Sequence, residues 1–200
     1  MTLDIWKSVR AWQSAADVTQ RTEPGWVAPA DINLALRLIV EEREELATAL
    51  REHDMIGVAD GIADSLWVRA GLLLRLGLAR DHIDLLVPAP GKPTWENLPP
   101  AGIETVIEEL ETVDRELKTA IRAGSLEGVD MLGHRGMYQL LSLVVLLQLP
   151  LDRIWATVVE SNFSKFVDGK VVRRADGKIT KGPNFSPPDI ASILAPPEAA

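Results

Sequence analysis

The chain has 200 residues, of which 46% are hydrophobic, so it can bury one substantial core and is not expected to be disordered. Its 29 acidic and 21 basic residues give a formal net charge of −8, which disfavours nucleic acid as the main partner. The absence of cysteine excludes disulfides, thiolate nucleophiles and cysteine zinc sites, and it favours a reducing compartment.

The first predicted elements are three helices. Residues 4–20 place apolar side chains on one face, and Asp4 can cap their first turn. A long amphipathic helix should follow Asp31 as its N-cap and end near His53. A third helix should run from about 55 to 78. Because the connection before it is short, it should lie antiparallel to the second helix.

Acidic side chains cluster on the second and third helices. Glu42 and Glu45 lie three residues apart, with Glu41 beside them. Asp60 and Asp64 lie four residues apart on the next helix. These spacings place each pair on one face, and carboxylates from two elements are ligands that Mg²⁺ prefers. A Glu-rich turn is also typical of an exposed helix face, so both interpretations are open at this point.

A proline-rich stretch at 87–93 predicts a linker between two related halves. Shifting the chain by 71 residues, the separation of Pro29 and Pro100, also places Gly57 on Gly128 without a gap. This register indicates a degenerate internal duplication. The competing interpretation is that two amphipathic helix pairs agree through apolar periodicity alone.

The second half lacks most of the acids of the first. Glu116 corresponds to Glu45, but Met131 and Arg135 stand where the first half has Asp60 and Asp64. The second helix pair, at about 102–149, therefore cannot form the same acidic site, although it can complete a helical bundle. Its most apolar run is too short to cross a bilayer, so we expect no membrane partner.

A short helix at about 150–166 precedes a C-terminal tail, 167–200. Six lysine and arginine side chains lie between Lys165 and Lys181. The two Asp-Gly pairs at 168–169 and 176–177 predict tight turns, as in a small hairpin. The tail is either solvated or able to close over a triphosphate.

These motifs together resemble the all-α nucleoside triphosphate pyrophosphohydrolase superfamily, which includes MazG, phosphoribosyl-ATP pyrophosphohydrolase and dimeric dUTPase. Glu42 and Glu45 match its Glu-x-x-Glu pattern, and Asp64, which Leu66 and Trp67 follow, matches the second helix. Residues 160–166, 176–178 and 181–183 resemble the tail of one subgroup. Many members carry an acid three residues before the aspartate. This chain has Gly61 there, so Asp60 would have to substitute.

The resemblance implies an all-α, MazG-like bundle at 1–166. The catalytic helix pair of this bundle would lie at about 31–78. The resemblance also implies a homodimer that hydrolyses a (deoxy)nucleoside triphosphate to the monophosphate and pyrophosphate, with Mg²⁺, or alternatively Mn²⁺, as cofactor. The N-terminal residues lack a basic region followed by a long apolar core, which predicts a cytoplasmic protein. The implied catalytic residues are Glu41, Glu42, Glu45 and Asp64, the metal ligands are Glu42, Glu45, Asp60 and Asp64, and the substrate contacts are Asn162, Lys165, Lys178 and Lys181. The alternatives are a non-catalytic helical interaction module and a nucleotide-binding sensor.

Overall fold

The computed structural model describes residues 3–80 and 92–195, and most of the predicted linker lies outside these ranges. The described residues form an all-α bundle with one small hairpin, which confirms the predicted class. The elements are α1 (Ile5–Ala15), α2 (Pro29–Glu52), α3 (Met55–Arg75), α4 (Pro100–Arg122), α5 (Leu126–Leu147), α6 (Leu151–Phe163), β1 (Phe166–Val167), β2 (Lys170–Val171) and α7 (Ile190–Leu194). In these ranges no helix combines the length and the hydrophobicity that a bilayer span requires.

Two helix ends differ from the prediction. Asp4 caps α1 by accepting a hydrogen bond from the Lys7 amide, but the helix ends at Ala15, and Asp17 beyond it adopts a left-handed φ of 52°. The predicted N-cap role of Asp31 is wrong, because α2 begins at Pro29, whose fixed φ suits the first helical position. Asp31 instead accepts a hydrogen bond from Arg75 of α3 at 3.2 Å.

The second helix pair repeats the local features of the first at the same offset of 71 residues. In each pair, the first helix begins at a proline. A residue with positive φ follows that helix, and a polar side chain then caps the start of the second helix. The equivalent residues are Pro29 and Pro100, His53 and Gly124, and Asp54 and Ser125. Duplication remains a hypothesis, which now rests on matched helix caps as well as on residue identities.

α3 is the central helix of the bundle, since it packs against α1, α2, α5 and α6. Leu66, Ala70 and Leu73 on this helix are fully buried. Close packing on several sides fixes the helix axis, because a buried helix cannot shift without opening voids. The two aspartates of α3 are therefore carried by the most constrained element of the fold.

A buried ion-pair network joins the two halves. Arg69 of α3 is 2% exposed and donates to Asp114 of α4, which is 8% exposed, at 2.6 Å. Arg43 of α2 also approaches Asp114, with 3.1 Å between its Nε and Oδ2. A Cβ at Gly136 of α5 would lie 2.6 Å from Nη1 of Arg69, so a larger residue there would require the buried guanidinium to move. The network thus ties three helices, α2, α3 and α4, together, and Arg43 in it is adjacent to Glu42 in the sequence.

Candidate functional site

The fold brings the predicted acids of α2 and α3 together. The charge of Asp64 raises the pKa of Glu42 after the larger effect of burial, and the charge of Glu45 does the same for Asp60. The carboxylates therefore lie within electrostatic reach of one another, with Glu42, Asp60 and Asp64 half-buried and Glu45 exposed. We call Glu42, Glu45, Asp60 and Asp64 the acid cluster.

The neighbouring lysines do not offset the effects of burial and of mutual repulsion on the acid cluster. Burial, followed by the charges of Asp64 and Glu45, raises the pKa of Glu42 to about 8, although Lys178 and Lys165 act in the opposite direction. Burial and then Asp60 raise the pKa of Asp64 to about 7, against the effect of Lys165. Additional positive charge at this place would favour the ionised carboxylates.

Gly61, which stands where the resemblance expects an acid, lies at a close approach of α2 and α3. A Cβ at Gly61 would lie 3.1 Å from both Cα and Cβ of Leu46 on α2. An acidic side chain there would therefore require α2 to shift by a few tenths of an ångström. Asp60, one residue earlier, lies outside this tight contact and is half-buried beside the other acids.

Three lysines of the C-terminal segment act on the acid cluster. Burial lowers the pKa of Lys165, whereas the charges of Asp64 and Glu42 raise it, so the ammonium lies within electrostatic reach of both acids. Lys178 forms an ion pair with Glu41. The charge of Lys181 lowers the pKa of Asp60 and of Asp64. The predicted acids and the predicted lysines therefore occupy one site.

Local turn chemistry positions Lys178. Phe166 and Val171 pair across the predicted hairpin, whose turn residues Asp168 and Gly169 have positive φ. A second turn closes at Gly177, with a β-bridge between Arg173 and Ile179. This part of the tail packs against the helices and is not a free, solvated segment, and its closing over a triphosphate stays a prediction.

Two contacts hold that second turn on the helical body. Arg37 of α2 lies 3.7 Å from the Asp176 carboxylate, and Arg173 donates to the backbone oxygen of Ala16 beyond α1. Both contacts join residues that are far apart in the sequence. The segment that carries Lys178 is thereby attached to the start of the chain and to the acidic helix.

Asn162 supports the site in a way that differs from a free substrate-binding amide. It is 5% exposed, donates to the Val158 carbonyl, and accepts a hydrogen bond from Lys165 at 2.8 Å. Its backbone oxygen accepts a hydrogen bond from Trp12. These bonds make Asn162 a residue that orients Lys165 and Trp12, and it also lines a cavity beside the acid cluster.

The chemistry of the acid cluster fits a hard divalent cation, because all its donors are carboxylate oxygens. Over residues 3–80 and 92–195, however, no group of three or more histidine, aspartate or glutamate side chains is arranged closely enough to hold a metal ion. Glu45 is exposed, while Glu42 and Asp64 turn toward the cavity. A cation would therefore have to draw these side chains together.

No family model, curated protein or solved structure matches the chain. The MazG-like type thus stays a prediction that rests on the residue pattern, as do the activity, cofactor and assembly that it implies. The fold class and the convergence of the acids with the lysines stand independently of it.

From the raised pKa values of the acid cluster, we expect the free energy of unfolding in EDTA to fall as the pH rises from about 4.5 to about 8. The unfolded chain releases the protons of Glu42 and Asp64 near their ordinary pKa values of 4.5 and 3.8, whereas the folded protein retains them until about 8 and 7. Rising pH through this window therefore favours the unfolded state. Thermal melting in EDTA measures the fall, and Glu42→Gln should reduce its slope. A melting temperature that rises throughout the window would contradict the prediction.

Proposed function

We propose that the protein is a metal-dependent nucleoside triphosphate pyrophosphohydrolase that acts as a cytoplasmic homodimer. The observation that carries the proposal is the meeting of four carboxylates from α2 and α3 with Lys165, Lys178 and Lys181, beside a cavity. Phosphoryl transfer needs positioning and charge stabilisation more than covalent help, and these groups are of the kind that supply both. The resemblance of the acidic motif to the pyrophosphohydrolase superfamily suggests which bond is cleaved, the one between the α and β phosphates.

Each group has a proposed role. The acid cluster would hold Mg²⁺ or Mn²⁺, which would offset the charge on the phosphate oxygens. Lys165 and Lys181 would bind substrate phosphate through charge-assisted hydrogen bonds. Lys178 would exchange its ion pair with Glu41 for a phosphate oxygen, and Glu41 would then orient or deprotonate water. The water oxygen bonds to the α-phosphorus, the bond to the bridging oxygen breaks, and pyrophosphate leaves.

Incubation with a panel of dNTPs and NTPs in the presence of Mg²⁺ tests the reaction. We expect a nucleoside monophosphate and pyrophosphate in equal amounts, with no product in EDTA. Separate quantification of pyrophosphate and orthophosphate is essential, because cleavage at the γ-phosphate would release orthophosphate and leave the diphosphate. Orthophosphate as the sole released phosphate would overturn the proposed reaction.

A nucleotide-binding protein with little turnover is the second candidate. The observation that favours it is the pairing of Lys178 with Glu41, because this ion pair engages a proposed catalytic carboxylate. Binding of a triphosphate with Mg²⁺ but without pyrophosphate release would support it. A helical interaction module makes a different prediction, since Mg²⁺ or Mn²⁺ should then leave the melting temperature unchanged.

A further inference from the structure

Exposed apolar side chains are concentrated on α5. Within residues 3–80 and 92–195 eight large hydrophobic side chains are exposed, and four of them belong to this helix: Met131, Tyr138, Val145 and Leu146. Met131, Tyr138 and Val145 are seven residues apart, so they form one row along the helix. Arg135 and Ser142, which are also exposed, lie between them. We call the five residues Met131, Arg135, Tyr138, Ser142 and Val145 the α5 stripe.

The counterpart of the α5 stripe in the first half of the chain is covered. At the offset of 71 residues, Tyr138 and Val145 correspond to Trp67 and Leu74 of α3, which are both buried. Tryptophan rings of α1 and α6 pack on Trp67. α5 packs against α3 and α4, which bury its opposite face. The second half thus keeps apolar side chains on a face that no described element covers.

The α5 stripe is complementary to itself. Tyr138 lies at its centre, with Met131 seven residues before it and Val145 seven residues after it. If a second copy lies antiparallel with its own Tyr138 at the same level, each Met131 meets the Val145 of the other copy. A two-fold axis requires such a pattern, because the same surface then serves both partners.

The charges also favour an antiparallel contact along this stripe. The chain has a formal net charge of −8, so two copies repel each other at long range. Among the exposed α5 residues from Met131 to Leu146, only Arg135 is charged, and it already pairs with Glu116 of α4. In a parallel pairing the two Arg135 side chains would meet. In the antiparallel pairing each lies opposite Ser142 of the other copy, so no like charges meet.

We infer that the α5 stripe is the interface of a weak homodimer, in which the α5 helices of two copies pack antiparallel around Tyr138. The inference rests on the proposed function only for the homodimer, whose interface it names. α4 and α5 already complete the bundle within one chain, so two chains have to meet on another face.

The size of the stripe sets the strength of the contact. It is about 21 Å long and about 10 Å wide, which is less than the roughly 800 Å² per partner that stable complexes bury. The apolar gain is then only slightly larger than the cost of association, and we expect a dissociation constant between about 1 µM and 1 mM.

Sedimentation of the full chain over a dilution series from about 1 mM to about 1 µM tests the inference. The average mass should fall from that of a dimer toward that of a monomer. Raising NaCl from about 50 to about 500 mM should strengthen the dimer, because salt screens the repulsion between the acidic chains and no intermolecular ion pair is lost. A dimer that salt weakens would contradict an apolar interface.

Substitutions locate the interface. Tyr138→Glu places two carboxylates at the centre of the contact and should abolish the dimer. Ile56→Glu is the matched control, because Ile56 is 46% exposed and Tyr138 is 48% exposed, but Ile56 lies at the start of α3. Circular dichroism establishes that both variants fold.

Cross-linking tests the direction of the two helices, since the chain has no cysteine of its own. A mixture of Met131→Cys and Val145→Cys chains should be joined by a short bismaleimide. Met131→Cys alone should not be joined, because its two copies would lie about 21 Å apart in the antiparallel pair.

The outcomes separate this inference from the proposed reaction. A chain that stays monomeric up to about 1 mM would overturn both the α5 interface and the proposed homodimer. A dimer that Tyr138→Glu leaves intact, or cross-linking of Met131→Cys alone, would overturn the α5 interface and leave the homodimer in place. Pyrophosphate release is measured independently of all these results. If Tyr138→Glu does not fold, the dilution series and the cross-linking decide the matter.

Discussion

Asp64→Asn is expected to lower pyrophosphate release by at least about a hundredfold and to raise the melting temperature of the metal-free protein. Asp64 is crowded by Asp60 and Glu45 and is poorly solvated, so its ionised form is unfavourable when no cation is present. Asparagine has nearly the same shape and removes that repulsion. A gain in stability together with a loss of activity distinguishes a functional carboxylate from one that merely supports the fold.

Glu45→Gln and Glu116→Gln form a matched control pair at equivalent positions of the two halves. Glu45 belongs to the acid cluster, whereas Glu116 makes an exposed ion pair with Arg135 at 3.4 Å, an arrangement that contributes little to stability. Pyrophosphate release and the Mg²⁺-induced shift in melting temperature should both be lost in Glu45→Gln and retained in Glu116→Gln. Equal losses in the two variants would contradict the assignment of the site to the first half.

Local patterns in the sequence predict the helices and the meeting of the acids. Spacings of three and four residues place Glu42 with Glu45, and Asp60 with Asp64, on single faces whatever the surroundings. A two-residue connection then forces α3 back along α2, so both faces meet. His53 ends α2 in the left-handed conformation, and the Asp54 side chain caps the start of α3. These features depend on neighbours in the chain, which a sequence displays directly.

Contacts between distant residues account for what the sequence did not predict. Nothing local distinguishes Asp114 from the other acids of α4, yet it is buried because Arg69, 45 residues earlier, reaches it. Gln13 and Trp12 occupy an ordinary amphipathic helix, and only the packing of α1 against α3 brings them to the cavity. The contact of Asp31 with Arg75 on another helix is of the same long-range kind, whereas its N-cap prediction failed for a local reason, because α2 already begins at Pro29.

Asp114→Ala is expected to destabilise the protein by about 3–5 kcal/mol, the largest loss that we predict for a single substitution. The change leaves the guanidinium of Arg69, which is 2% exposed, without its carboxylate. In the described part of the chain, Nε and Nη1 of Arg69 have no hydrogen-bond partner, and Asp114 is the acceptor for Nη2. The loss of Asp114 costs less at Arg43, because Arg43 still donates a hydrogen bond to Glu111 at 3.0 Å. Urea denaturation monitored by circular dichroism measures the loss.

The double variant Arg69→Met, Asp114→Leu distinguishes two sources of the lost stability, the unpaired buried guanidinium and the lost packing of the side chain. If the cost arises from an unpaired buried guanidinium, replacing both partners by apolar side chains should recover most of the stability. Glu104→Gln breaks a bidentate but fully exposed pair with Arg51 and should have little effect. A double variant as unstable as Asp114→Ala would mean that shape, not charge, makes Asp114 necessary. Asp114→Asn would then be tolerated, because it preserves that shape; if charge is decisive, Asp114→Asn should also lose stability.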